Sequence, residues 1–230
     1  MSSVTYGQAA LPIASREVGV KENPAGSNTG PRVKVYLQGH PPEPWCADFV
    51  TWVLKQAGFP QPTWNWSYCP SWAAAAASET AGMRPLTKDE IPQDGDLALY
   101  DWGHDGVPDH IGIVKSVLAG RPVAFTAIEG NTAIGNDSNG GQVLERQRNR
   151  GDVHMFIRLP KRPAPTLAER LRAAGYGAKT VPVILRNLKE GIRGNIAHPS
   201  DRQMYRNLRK QGLSPASANA VVKSTRKKNP

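Results

Sequence analysis

Pro44-Trp45-Cys46-Ala47-Asp48-Phe49-Val50-Thr51-Trp52-Val53-Leu54 sets one cysteine where a proline-broken, extended segment turns into a helix with an apolar face. The helix follows from spacing. Phe49, Val50, Val53, Leu54 and Ala57 recur at three- and four-residue intervals, and Gly58 and Pro60 then close the segment. Cys46 therefore falls in the first turn, where backbone N–H groups without helical partners carry partial positive charge. That charge favours a thiolate over a thiol and would also receive an oxyanion. Free cysteine equally packs as a small buried hydrophobe, so only partner residues can make the position chemical.

Partners lie downstream. Gly95-Asp96-Leu97-Ala98-Leu99-Tyr100 reads as a buried strand, and Asp109-His110-Ile111-Gly112-Ile113-Val114-Lys115-Ser116-Val117 as a second one with His110 at its start. A third apolar run, Val123-Ala124-Phe125-Thr126-Ala127-Ile128, is read as ending in the turn-like Glu129-Gly130-Asn131-Thr132. In a sheet packed against the Cys46 helix, His110 would take the thiol proton while Glu129 or Asn131 holds the imidazole in one tautomer.

Trp45-Cys46-Ala47-Asp48-Phe49-Val50, Gly95-Asp96-Leu97, Asp109-His110-Ile111-Gly112-Ile113-Val114 and Glu129-Gly130-Asn131 resemble the motifs of the CHAP domains (cysteine, histidine-dependent amidohydrolase/peptidase) of the papain-like NlpC/P60 group. The resemblance covers residues from about 10 to 160. It implies an α+β, papain-like fold with N-terminal helices packed on a central antiparallel β-sheet. It also implies a thiol hydrolase that cuts amide bonds of bacterial peptidoglycan, as an N-acetylmuramoyl-L-alanine amidase or a peptide-bond endopeptidase. In phages such enzymes serve as endolysins or as virion- or tail-associated lysins. By that carry-over Cys46 is the nucleophile, His110 the general base and then acid, and Glu129 with Asn131 the orienting pair; no cofactor is implied. Two alternatives stand beside this reading. One is a catalytically inactive CHAP-fold part of a phage virion or wall-binding component, and the other is a metal-dependent amidase.

For the metal alternative, His40, His104, His110, His154 and Asp109 are the raw material, and none of them forms a HExxH helix motif. Asp101, Asp105 and Asp109 recur every fourth residue but lack the ligand spacing of the calcium loops found in some family members, and they read as solvated loop carboxylates. We therefore expect no metal. A disulfide between Cys46 and Cys69 would consume the proposed nucleophile, so Cys69 reads as a spectator. Trp64, Trp66 and Tyr68, in a Pro/Asn/Ser-rich stretch, either stack on sugar rings or peptide stems or pack beneath their loop; Trp45 and Trp102 join them as candidate substrate contacts.

The chain has 230 residues, 39% of them hydrophobic, enough for one core of about 150 residues plus a smaller module. No run of 18 apolar residues is present, and the N-terminus lacks the basic-then-apolar order of a secretory signal. With a reduced thiol, this predicts synthesis in a bacterial host cytoplasm and action at the cell wall, either on release at lysis or from the virion. Before Cys46, residues 13–20 and 33–37 read as short helices around a polar loop, 21–31. The alanine tract 73–77 reads as part of a helix covering the sheet.

Charge divides the chain sharply. Residues 1–160 hold 13 Lys and Arg against 16 Asp and Glu, a net of −3, whereas residues 161–230 hold 16 against 3, a net of +13. We read 1–160 as the catalytic domain, 161–166 as a Pro-rich linker and 167–230 as a small basic α-helical module with a disordered end. Helices are expected at 167–174, 181–190, 201–211 and 215–223, the last with Ser214 as N-cap and Pro215 at the first helical position. Such a cationic module suits anionic wall polymers or other virion proteins. Nucleic acid is the lesser candidate, because the helix pair around Gly212-Leu213-Ser214 only loosely resembles a helix-turn-helix.

Overall fold

The computed structural model describes residues 4–118, 124–137 and 139–163, and in the tail 167–168, 171, 181–182, 199–210, 212–216, 218–219 and 222. Two compact units are present, residues 1–162 and 163–230.

In the first unit, α1 (Tyr6–Glu17), α2 (Val33–Leu37), α3 (Cys46–Gln56) and α4 (Cys69–Ala77) precede an antiparallel sheet, on which α1, α3 and α4 pack while α2 packs on α3. Its strands are β1 (Arg84–Pro85), β2 (Leu97–Tyr100), β3 (His110–Val117), β4 (Ala124–Thr132), β5 (Gln142–Asn149) and β6 (Val153–Arg158), in the order β1-β6-β2-β3-β4-β5. Alternation sorts the sheet's two faces. Leu97, Leu99, Ile111, Ile113, Ile128 and Ile157 join the helices in the main core, while Ala98, Tyr100, Val114, Phe125, Ala127 and Phe156 form a second cluster. The helix α3 is buried from Cys46 to Leu54 because β3 and β4 lie on one side of it and α1 and α2 on the other.

Several expectations are corrected. The first helix starts at Tyr6 rather than at residue 13, because Thr5 and Gln8 form a reciprocal capping box (Gln8 N to Thr5 Oγ1, 3.1 Å; Thr5 N to Gln8 Oε1, 2.9 Å). Pro12 lies inside this helix. Glu129 to Thr132 are not a turn: β4 runs on to Thr132, paired with β5 as far as Thr132 with Gln142. The register shifts between Glu129 and Thr132, and Asn131 sits there at φ 57°, so a bulge carries the turn-like composition inside a strand. Strands β5 and β6 were not foreseen, since Gln142-Val143-Leu144-Glu145-Arg146-Gln147-Arg148-Asn149 is mostly polar and its apolar alternation is faint. Backbone bonds hold the start of the Pro-rich segment to the N-terminal residues: the Tyr6 N–H bonds to the Pro160 carbonyl (3.1 Å) and the Arg162 N–H to the Val4 carbonyl (2.8 Å).

In the second unit, α5 spans Pro199–Lys210. The described residues of the other three expected helices, 167–168, 171, 181–182, 215–216, 218–219 and 222, are helical, and the remainder of those helices, like the terminal 223–230, lies outside the described residues. Leu171, Val181, Leu208, Leu213, Ala218 and Val222 form a core of their own. Among the described residues no helix is long and apolar enough to cross a membrane.

Candidate active site

Cys46 is the first residue of α3, and no side chain caps that helix. The first backbone helical bond runs from Phe49 N to Trp45 O (2.9 Å), so the N–H groups of the first turn are left for the sulfur and for whatever approaches it. The Ala47 N–H already turns to the Cys46 sulfur.

Strand register assembles the imidazole's support. Tyr100 pairs with His110, and Gly112 with Glu129, so all four residues share one face of the sheet. Glu129 stands opposite Gly112, two residues along from His110, and must lean across Gly112 to reach it. Only glycine permits this: a Cβ there would lie 2.6 Å from the Glu129 Cγ. Glu129 Oε2 thus comes 3.2 Å from His110 Nε2. Arg148, on the same face of β5, grips the carboxylate with two charge-assisted bonds, Nε to Oε1 at 2.8 Å and Nη2 to Oε2 at 2.6 Å. Its guanidinium also lies over the rings of Tyr100 (5.3 Å) and Trp102 (4.9 Å), which stack on each other.

The charges reinforce one another. Burial would raise the Glu129 carboxyl, yet Arg148 and then His110 hold it down to about 2. Burial would lower His110, yet the Cys46 thiolate and Glu129 hold it up to about 9. Cys46 is held well below the usual thiol range, first by a hydrogen bond from Cys69 and, against the opposing effect of burial, by the charge of His110. His110 Nδ1 is buried and has no hydrogen-bond partner. With Nε2 taken by Glu129, Nδ1 is the nitrogen free to exchange a proton with the sulfur.

Asn131, the other candidate for orienting the imidazole, is engaged elsewhere: its Oδ1 accepts from Gly141 N (3.1 Å) and its Nδ2 donates to Asn139 Oδ1 (3.0 Å). The aromatic candidates divide. Trp45 is fully buried, stacked on Tyr36, with its Nε1 donating to Glu22 Oε1 at 2.8 Å, so it belongs to the core. Trp64 packs edge-on against Trp72, Trp66 stacks on His40 and Trp102 on Tyr100, all half-buried, while Tyr68 is 53% exposed. Asp101 and Asp109 build the β2–β3 loop by accepting from backbone N–H groups of Trp102, Gly103, Asp105 and Gly106.

Sequence reasoning passed over Arg148, whose only local signal is a charged residue at a strand position that alternation turns inward. It also passed over a cluster in front of α3. The ligand atoms of His40, Glu43 and Asp48 lie within 4.8 Å of one another. Asp48 is fully buried, its Oδ1 3.4 Å from His40 Nδ1 and neither oxygen in a hydrogen bond, and its carboxyl is pushed up to about 8 by burial and then by the charges of Glu43 and Cys46. Two carboxylates and an imidazole suit a divalent cation, which would satisfy those oxygens.

Residues 38–131 match the family model of the CHAP domain. The chain carries a CHAP domain. The match holds Cys46, His110, Glu129 and Asn131, and the helices on an antiparallel sheet fit the papain-like α+β fold of this domain. Among solved structures, the crystal structure of a wild-type endolysin, LysIME-EF1, is similar at 17% identity and a TM-score of 0.44 over 69% of this chain. The alignment spans 65% of that protein's chain. No curated protein matches the sequence. The CHAP domain match stops at Asn131, so Arg148 lies outside it.

Proposed function

We propose that this protein is a peptidoglycan hydrolase of phage type that cuts an amide bond of the bacterial cell wall with Cys46 as nucleophile. One observation carries the reading: in the buried site His110 has Nε2 on a carboxylate clamped by Arg148, leaving Nδ1 off that carboxylate, and its charge helps hold the Cys46 thiol low. The CHAP domain match points to the same substrate class.

The resting site is a thiolate–imidazolium pair. The Cys46 thiolate attacks the amide carbonyl, and the oxyanion is received by the Cys46 backbone N–H at the start of α3. As the C–N bond breaks, His110 Nδ1 gives its proton to the leaving amine, and a thioester remains on Cys46. Neutral His110 then takes a proton from water, whose oxygen attacks the thioester and releases the acid, restoring the ion pair. Glu129 fixes the ring and balances the imidazolium throughout. Below a pH of about 9 His110 keeps the proton the leaving amine needs.

Cys46→Ala should abolish clearing of purified cell walls, by about 10⁴-fold or more, with an unchanged far-UV circular dichroism spectrum. Undiminished clearing would sink the thiol mechanism. Inhibition by iodoacetamide with survival in EDTA separates it from a metal-dependent amidase. Mass spectrometry of the released fragments identifies the bond: amidase action frees the lactyl carboxyl of the glycan, whereas endopeptidase action creates a new amino group within the peptide.

A further inference from the structure

The mechanism leaves one buried nucleophile unused. Cys69, which the sequence reading treats as a spectator, is the first residue of α4, and its sulfur lies 3.6 Å from that of Cys46, the first residue of α3. Both are free thiols, 23 positions apart in the chain, with 5% and 4% exposure respectively. Two helix N-termini thus present their sulfurs to each other inside the core. A disulfide needs sulfurs about 2.05 Å apart, so closure requires a further approach of about 1.5 Å. The same burial that shields Cys69 from bulk solvent leaves Cys46 as its nearest reactive partner.

We propose that Cys69 is a resolving thiol for Cys46, so that a peroxide converts the pair to an intramolecular disulfide that a dithiol reductant reopens. The chemistry balances in two steps. The Cys46 thiolate attacks one oxygen of the peroxide; an S–O bond forms, the O–O bond breaks and hydroxide leaves, so sulfur is oxidised to the sulfenic acid and the peroxide is reduced. The Cys69 sulfur then attacks the Cys46 sulfur. An S–S bond forms, the S–O bond breaks, and the hydroxyl leaves with the Cys69 proton as water. The low-lying Cys46 thiolate makes it the sulfur oxidised first, while Cys69, held well above the usual thiol range by its bond to Cys46 and by burial, stays protonated until it resolves. The consequence for activity rests on Cys46 being the nucleophile proposed above: the disulfide holds the enzyme inactive and protects Cys46 from irreversible over-oxidation.

The test uses the full-length protein treated with hydrogen peroxide. Wild type should become two hydrogens lighter, lose both titratable thiols under denaturing conditions, yield a non-reduced peptide joining Cys46 to Cys69, lose wall clearing, and regain thiols and clearing with dithiothreitol. Cys69→Ser, compared with its own untreated state, should instead gain oxygen on Cys46 and recover little or nothing with the reductant. A wild type that gains oxygen on Cys46 while Cys69 stays a free thiol overturns the proposal, as does a cross-link between two molecules. The wild-type masses decide this even if Cys69→Ser does not fold. A reversible cross-link in a protein that never clears walls would leave the thiol pair standing and remove the hydrolase reading instead.

Discussion

Glu129 shows how much a single residue depends on those around it. A carboxylate fully removed from water is tolerated because Arg148 takes both oxygens, and His110 then gains a fixed acceptor for Nε2. Removing one partner of such a pair costs far more than the pair is worth, because the other charge is stranded. Arg148→Gln is therefore expected to destabilise the protein by about 3–5 kcal/mol at pH 7. The sign with pH follows from Glu129, whose carboxyl drops from an ordinary 4.5 to about 2 on folding. The stability it contributes is fully present above 4.5 and fades as the pH falls toward 2. The gap in melting temperature between wild type and Arg148→Gln should thus shrink on acidification, where protonation relieves the stranded carboxylate. A gap independent of pH would mean that Arg148 acts through packing alone.

Strands β3 and β4 are more than a scaffold, because their pairing chooses which side chain meets His110. Glu129 and Asn131 both follow the apolar run of β4, but Glu129 falls opposite Gly112 and can cross to His110, while the bulge turns Asn131 to Gly141 and Asn139. A methyl group at position 112 would block that crossing. Gly112→Ala should lower the turnover of wall hydrolysis by about 100-fold, the scale expected when a supporting group is displaced by about 1 Å, with a smaller effect on KM. Steady-state rates on purified walls measure the split, and wild-type turnover in Gly112→Ala would show that Glu129 needs no passage there. The His-Ile-Gly stretch is legible in the sequence as a strand with a glycine; its use as a passage is not, since that follows from what stands across the ladder.

The whole molecule joins a near-neutral stretch, residues 1–160, that holds the candidate site to a tail, residues 161–230, with a net charge of +13. The exposed face of α5 carries Arg206, Arg209 and Lys210, and the apolar Leu208 turns into the tail's own core. Our reading of the tail as a device for anionic wall polymers predicts that retention of the protein on purified walls falls as salt rises. Arg206→Gln with Lys210→Gln should weaken that retention by roughly fivefold per charge removed. Hydrolysis of small soluble wall fragments should stay unchanged. Retention indifferent to both salt and these substitutions would refute an electrostatic tail.

Local pattern alone determined that Cys46 opens an apolar helix, that His110 opens a strand, that Glu129 and Asn131 follow a third apolar run, and that basic charge collects after residue 160. Each of these is a relation between neighbours, written in three- and four-residue spacing, two-residue alternation or composition. Only the tertiary structure decided that Glu129 rather than Asn131 meets the imidazole, that Arg148 clamps it from a strand too polar to announce itself, and that Cys69 lies against Cys46. Those are meetings of residues 19 to 23 positions apart. Strand register and the meeting of the first residues of α3 and α4 bring them about, and neither leaves a local trace.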